Sequence, residues 1–575
     1  MPNYQSPGVY VEEIVSGPSP IAGVGTAVAA FVGWTAQGEF NKPTLIHNWS
    51  QFINHFGGFP EPPLKDGELE QEEAKPAPSA SSASGSQAEA KAEEKPEEKK
   101  PETRKELKPT QGASPRTSVS YLAHAVYGFF ANGGSSCYVV RIGEKALTKE
   151  EERRAPRAAA ALGEYRAVAR IGGSKANDTT IEVTAPDTGT FPDDSFRIVV
   201  KQGDVTEDLG SVTTKRGDKT NFVTVVNEKS KLIRLESTRT RALERRPSAG
   251  TVERRPAAGT LALQGGADPF PAHLSSADYI GDPVSRSGLA GLEAEDLVTM
   301  VCVPDLVAAF QNGALNYDEF QTVQERVITH CENMGDRMAI LDPPPGLNAQ
   351  EVLKWRREEA NFNSKYATLY WPHLTVMDPV TNTKVDVPPS GHMAGIWSRN
   401  DDTRGVHKAP ANEVIRGVLE PAVKITKDEQ TTLNPVGINC LRTFPGQGTL
   451  VWGARTLSGE SSWRYLNVRR FFNYLEESIL NGTQWCVFEP NDPALWARIR
   501  RTISAFLVNE WRRGALFGAT PGEAFYVKCD DETNPQEGIE IGEVVCEIGV
   551  APVKPAEFVI FRLSQMAGGT SLVAE

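Results

Sequence analysis

The residues whose type and spacing bear most directly on chemistry are the arginines of a segment running from Pro493 to Arg513. On a helical wheel Leu495, Ile499, Ile503, Phe506 and Leu507 share one face, while Arg498, Arg501, Asn509 and Arg512 share the other. Planar guanidinium forks suit carboxylates, so the basic stripe makes a docking face for an acidic partner. The bland alternative is that these arginines are solvated or paired within the fold, as exposed helix charges usually are.

Catalytic and metal chemistry has little to stand on. The eight histidines and seven cysteines form no Cys-x-x-Cys and no His-Glu-x-x-His, and His330-Cys331, adjacent on a helix, cannot converge on one ion. Gly23-Val24-Gly25 and Gly446-Gln447-Gly448 lack the third glycine and the strand-to-helix setting of a phosphate loop and read as turns. Gly569-Thr570-Ser571 resembles the nucleophile turn of subtilisin-type proteases, but it follows the last plausible strand with nothing behind to hold it, and a mobile serine is not an activated nucleophile. Arg216-Gly217-Asp218, between two β-like runs, reads as a hairpin turn. The expectation is no catalytic residue, no cofactor and no metal.

A balance of 74 acidic against 61 basic residues, net -13, excludes a general nucleic-acid binder, which needs a basic surface to displace counterions. No run approaches the roughly 20 apolar residues that span a bilayer, and Met1 to Tyr10 has no signal-peptide pattern, so neither membrane insertion nor export by a cleaved signal is expected. The cysteines lie far apart in apolar runs, like small buried hydrophobes in a reducing compartment.

The elements that must position these residues divide the chain into a mixed α/β (α+β) multidomain protein. Residues 1–22, with Gly8 to Ile14 flanked by prolines, make an extended arm. Residues 23–143 make the first part of an α/β core, with a strand at Thr26 to Thr35 and helices at Trp49 to Phe59 and Ser118 to Phe130. That part is interrupted by a Glu/Lys/Ala/Ser/Pro insertion at 60–117 whose composition predicts disorder. Residues 144–280 form an inserted β-rich domain in which NFVTVVN reads as a strand, Gly143 to Gly163 as a helical connector, and the repeated ERRPxAGT of 244–260 as a surface loop. Residues 281–435 alternate strand and helix as a middle α/β domain, 436–549 form a C-terminal domain, and 550–575 an arm. Trp452, Trp463, Trp485 and Trp496 are assigned to the C-terminal core.

The last quarter resembles the contractile tail sheath proteins of contractile phages, R-type pyocins and extracellular contractile injection systems. The similarity rests on Trp452-Gly453-Ala454-Arg455-Thr456-Leu457, Trp463-Arg464-Tyr465-Leu466-Asn467-Val468-Arg469-Arg470, Phe488-Glu489-Pro490-Asn491-Asp492 and Pro555-Ala556-Glu557-Phe558-Val559, in that order. Pro7 to Glu13, Phe129 to Gly134 and Lys408 to Asn412 extend it towards the start.

The resemblance implies a non-enzymatic subunit that stacks as rings into a helical sleeve around an inner tube protein and contracts to drive the tube through a target envelope. Further implied partners are baseplate and terminal cap proteins, with assembly in a bacterial cytoplasm. Val9, Tyr10, Val11 and Glu12 at one end, and Phe558, Val559, Ile560 and Phe561 at the other, are the expected inter-subunit strands, since each offers unpaired backbone groups to a neighbour's sheet. Arg498, Arg501 and Arg512 are the candidate contact to the inner tube. The competing reading, carried only by the βα alternation of the middle segment, is an α/β hydrolase or protease with an accessory β domain.

Overall fold

The computed structural model describes residues 20–59, 120–143 and 155–562, apart from 185–194, 204, 216–217, 238–254, 269–270 and 272–273. Val9, Tyr10, Val11 and Glu12, the 60–117 insertion, Arg216-Gly217, most of the ERRPxAGT repeat and Gly569-Thr570-Ser571 lie outside the described residues.

The fold is mixed α/β, built on one eight-stranded sheet. Its order is Gly448–Val451, Ile438–Phe444, Ala367–Trp371, Met338–Leu341, Met300–Cys302, Val28–Gly33, Ser136–Arg141 and Thr44–Ile46. The six inner strands run parallel, and the two edge strands pair antiparallel. A parallel sheet needs both faces covered, which is why every residue of Met338–Leu341 and Ala367–Trp371 is buried, the polar Thr368 donating its hydroxyl to the Arg455 carbonyl at 2.9 Å. The crossover helix Tyr317–Met334 starts at a capping box of Asn316 and Glu319 and stops at left-handed Gly335.

Two helices on one face approach unusually closely. Leu122–Ala131 packs on Ser390–Arg404, where a Cβ at Gly391 would fall 2.4 Å from the Ala125 Cα and one at Gly395 2.3 Å from the Phe129 carbonyl oxygen. Only glycine lets the two backbones meet there.

This sheet redraws the expected domain boundaries. The supposed middle domain 281–435 contributes Met300–Cys302, Met338–Leu341 and Ala367–Trp371 to the same sheet as Val28–Gly33, and the line at 436 cuts off Ile438–Phe444, which pairs with Ala367–Trp371. Parallel strands find partners through crossovers, so sequence-adjacent blocks of βα alternation need not be separate bodies.

Within 155–268 two small antiparallel sheets and the helix Phe222–Lys229 enclose a second core around Phe196, Ile198, Phe222 and Val226. Two expectations fail here. NFVTVVN is helical, because Phe222, Val225 and Val226 recur at i, i+3 and i+4 and Asn221 caps the Val223 N–H. The connector Gly143 to Gly163 ends not in helix but in the strand Ala159–Leu162, paired with Tyr165–Ala169. The insert is fastened to the large sheet by Arg141, whose guanidinium meets Asp268 at 2.6 Å, while Asp268 also accepts from the Ser174 backbone at 2.7 Å.

A third core lies between the helices Leu466–Thr483 and Pro493–Arg512 and the hairpin of Phe525–Lys528 with Glu547–Val550. Of the four tryptophans assigned to the core, Trp496 is buried, Trp463 and Trp485 are half-buried, and Trp452 is exposed, lying against Phe444 with ring centroids 4.5 Å apart.

Candidate functional site

The dense Trp and Arg stretch resolves into a seam of buried guanidinium groups joining the third core to the large sheet. Arg470 donates to both Asp401 oxygens at 2.9 and 2.5 Å and to the Thr26 carbonyl at 3.0 Å, and lies over the Trp397 ring. Arg469 sits among Tyr366, Trp463 and Phe472 and donates to Asn473 and Glu476. Both arginines are almost fully buried, which their pairing and ring contacts make tolerable. No role was expected of either; the available signal was their clustering with tryptophan between residues 452 and 470.

From this seam the C-terminal segment runs out along the surface. Its start is held by backbone bonds from Phe517 N–H to the Ala551 carbonyl, from Ala551 N–H to the Ala524 carbonyl and from Val553 N–H to the Ala515 carbonyl. Asn467 donates its amide to the Val553 carbonyl. The last anchor is Glu557, whose carboxylate takes Arg455 Nε and Nη2 at 2.8 and 2.5 Å and the Asn434 amide at 2.9 Å. Burial alone pushes the Glu557 carboxyl up, but these donors outweigh it and hold it below the ordinary glutamate range. Immediately beyond, Phe558, Val559, Ile560 and Phe561 are 74, 68, 79 and 83 % exposed and belong to no strand.

The helix Pro493–Arg512 is capped by Asp492, which accepts from the Leu495 N–H, and buries Leu495, Trp496, Ile499, Ile503, Phe506 and Leu507. Its three singled-out arginines differ. Arg498 is engaged internally, 3.2 Å from Glu489 and stacked over Trp485 at 4.3 Å. Arg501 and Arg512 are exposed, eleven positions and so just over three whole turns apart on one face, with no ion-pair partner among the described residues.

The crevice where an open α/β sheet would bind a ligand lies at the carboxyl ends of its strands, where the order reverses between Val28–Gly33 and Met300–Cys302. Here it is filled by the protein itself. Asp305, just past Met300–Cys302, accepts from the Trp34, Tyr121 and Leu122 backbone N–H groups and from the Ser120 hydroxyl, and is fully buried. Burial pushes its carboxyl up to about 7 against those donors. One strand over, Asp342 accepts from the Ser390 N–H and hydroxyl and is likewise pushed up to about 7. Both carboxylates tie helix starts to strand ends.

Among the described residues no three His, Cys, Asp or Glu side chains converge on a metal position. His330 faces Arg337 at 3.4 Å, and burial and that cation lower it to about 4. Gly446-Gln447-Gly448 lies at the turn of the hairpin between Ile438–Phe444 and Gly448–Val451, and no described helix is long and apolar enough to cross a membrane.

Residues 307–457 match the phage tail sheath protein central domain, and residues 458–565 match the phage tail sheath C-terminal domain. The two matches adjoin and together cover residues 307–565. Among curated relatives, the tail sheath protein of Vibrio phage KVP40 is 26% identical over 45% of this chain and 41% of its own length. That of Enterobacteria phage T4 is 23% identical over 43% of this chain and 40% of its own. The chain thus spans less than half of either relative.

Solved structures extend the likeness of fold to nearly the whole chain. The sheath of the extracellular contractile injection system PVC in its contracted state aligns over 98% of this chain and 99% of its own, with a TM-score of 0.52 and 21% identity. The helical sheath of the anti-feeding prophage in its contracted state gives 0.53 and 20% over 98% and 99%. The Arg470–Asp401 and Arg455–Glu557 pairs each tie the region that matches the C-terminal domain to the region that matches the central one, since Asp401 and Arg455 fall in the first match and Arg470 and Glu557 in the second.

Proposed function

We propose that this chain is the structural subunit of a contractile sheath, polymerising as stacked rings around an inner tube and shortening to drive that tube through a target envelope. One observation carries the reading beyond family likeness. An apolar tetrapeptide, Phe558 to Phe561, leaves the body directly after a carboxylate clamped by Arg455 and finds no strand partner among the described residues. Such a segment offers unpaired backbone donors and acceptors together with about four apolar side chains, which a neighbouring subunit's sheet edge can take up. Exchange of that kind is head-to-tail and need not close, so it propagates a helix.

In this mechanism the clamp keeps the arm attached while the body swings about the joint immediately beyond Glu557, and the strand past that joint stays paired with its neighbour. Val9 to Glu12 serve as the second arm, Arg501 and Arg512 face acidic groups of the tube, and baseplate and cap proteins bound the sleeve. The work of contraction comes from a metastable extended packing, without nucleotide. The subunit acts without catalysis, and the particle is a phage tail or tail-like assembly put together in a bacterial cytoplasm.

Negative-stain microscopy of the full-length protein is the test. Tubes or ring stacks are the expected result, and their loss on truncation after Glu557, with the body still folded by circular dichroism, is the signature of arm exchange. Monodisperse globules from the intact chain under assembly conditions would refute the reading.

A further inference from the structure

The hairpin from which the C-terminal arm departs carries two cysteines that neither the family likeness nor the assembly reading uses. Its register pairs Phe525 with Val550, Tyr526 with Gly549, Val527 with Ile548 and Lys528 with Glu547. One step further along the same ladder sets Cys529 opposite Cys546. The Ala551 N–H donates to the Ala524 carbonyl at 2.9 Å, so Ala524 and Ala551 form a hydrogen-bonded pair. Antiparallel pairs alternate between hydrogen-bonded and non-hydrogen-bonded, and five steps on, Cys529 and Cys546 fall at a non-hydrogen-bonded one. There opposite Cα atoms lie about 4.5 Å apart and side chains come closest, inside the span a disulfide bridges.

The surroundings hold this register beyond the named strands. Asn534 donates to the Val545 carbonyl at 3.0 Å and accepts from the Val545 N–H at 2.7 Å, fixing the residue before Cys546. Arg500 donates to the Cys529 carbonyl at 2.7 Å, fixing the other side. The two thiols are already in hydrogen-bonding contact, and both are free.

We propose that Cys529 and Cys546 are a redox-modification site that closes to a cross-strand disulfide, stapling the hairpin at the root of the C-terminal arm. The oxidant is a small-molecule disulfide. Cys546, the half-buried member, attacks as thiolate and forms a mixed disulfide, releasing one small thiolate; Cys529, which is buried, then attacks the Cys546 sulfur and releases the second. Two protein thiols are oxidised, one small disulfide is reduced to two thiols, and the two protons pass to those leaving groups. Burial raises both thiols, Cys546 to about 12, so little thiolate is present at neutral pH and closure is slow. A slow reaction suits a structural lock set after folding better than a rapid sensor. The inference rests on hairpin geometry alone and is independent of whether the chain assembles.

The test incubates the full-length protein with oxidised glutathione, alkylates in denaturant without reductant, and maps peptides by mass spectrometry. The expected product is a Cys529–Cys546 cross-linked peptide lighter by two hydrogens, with Cys137, Cys302, Cys331 and Cys440 alkylated. The thermal midpoint of the oxidised protein should rise by several degrees, and that rise should vanish in Cys546→Ser. Full alkylation of both cysteines after oxidation, a lasting glutathione adduct on Cys546, or a cross-link from Cys546 to Cys486 would each overturn the proposal, and all three are read on the unmutated protein.

Discussion

Arg455 and Glu557 lie 102 residues apart and meet through two near-parallel hydrogen bonds, from Nε and Nη2 to the two carboxylate oxygens, with both side chains largely shielded from water. This clamp divides the C-terminal segment into a held part and an exposed part. Glu557→Gln keeps the shape and removes the charge, which leaves a buried guanidinium short of its counter-ion. The expected cost is about 2–3 kcal/mol in urea unfolding, with faster proteolysis just ahead of Phe558. The sign with pH follows from the lowered carboxyl: the contribution is complete above the unfolded glutamate value of about 4.3 and is lost as pH falls through the folded one. Unchanged proteolysis in Glu557→Gln would show that the backbone bonds at Ala551 and Val553 alone hold the arm.

A second prediction concerns the other tie between the two matched regions. Arg470 and Asp401 have side chains only 3 and 4 % exposed, and Asp401 also accepts from the Thr26 hydroxyl at 2.6 Å. Removing one partner strands the other charge in a dry place, so Asp401→Asn should cost about 3–5 kcal/mol. Arg470→Lys should fail almost as badly, because an ammonium cannot span both oxygens and the Thr26 carbonyl or stack on Trp397. Chemical denaturation followed by Trp fluorescence should show one transition splitting into two. A single transition shifted by under about 1 kcal/mol would mean the pair is dispensable.

What was legible in the sequence follows from how far each signal reaches. The helix Tyr317–Met334 carries its own start and stop in Asn316, Glu319 and Gly335, and the central strands announce themselves as short apolar runs. Phe222–Lys229 was misread because a Val-rich run alternates well enough to look like a strand, while its i, i+3, i+4 face becomes decisive only against Phe196 and Tyr165. The domain line at 436 failed for a different reason, since nothing local tells Ile438–Phe444 that its partner is Ala367–Trp371. The arginine helix was placed by periodicity, yet the internal engagement of Arg498 depends on Glu489 and Trp485 in the loop before it, which periodicity does not see.

Buried ionisable groups give opposing slopes with pH. His330, His373 and His392 are lowered to about 4 by burial, so they contribute stability above the unfolded value of about 6.5 that is lost as pH falls towards 4. Asp305 and Asp342, raised to about 7 by burial, contribute stability that is complete below about 3.9 and is lost as pH rises to 7. Between about pH 4 and 6.5 each of these histidines therefore lowers stability on acidification while each of these aspartates raises it. His392→Leu removes one histidine, so its stability should fall less on acidification over that range than that of the unmutated protein. Urea titrations at several pH values decide it, and a slope as steep as that of the unmutated protein would exclude His392 as a contributor.

The last prediction separates docking from folding on the arginine helix. Arg501 and Arg512 are exposed and align on one face, whereas Arg498 is tied to Glu489 and Trp485. Reversing the charge of the two exposed residues, as Arg501→Glu with Arg512→Glu, should change subunit stability by no more than about 0.5 kcal/mol, since neither packs in the core. Contacts made by such groups across an interface are screened within about 8–10 Å at physiological salt. Unmutated particles should therefore lose their extended, tube-filled form as salt rises, and the double variant should show that defect already at low salt, as empty or contracted sheaths by electron microscopy. Arg498→Glu should instead destabilise the subunit by repelling Glu489 and lifting off Trp485. Extended, tube-filled particles from the Arg501 and Arg512 double variant at every salt concentration would remove this face from the tube interface.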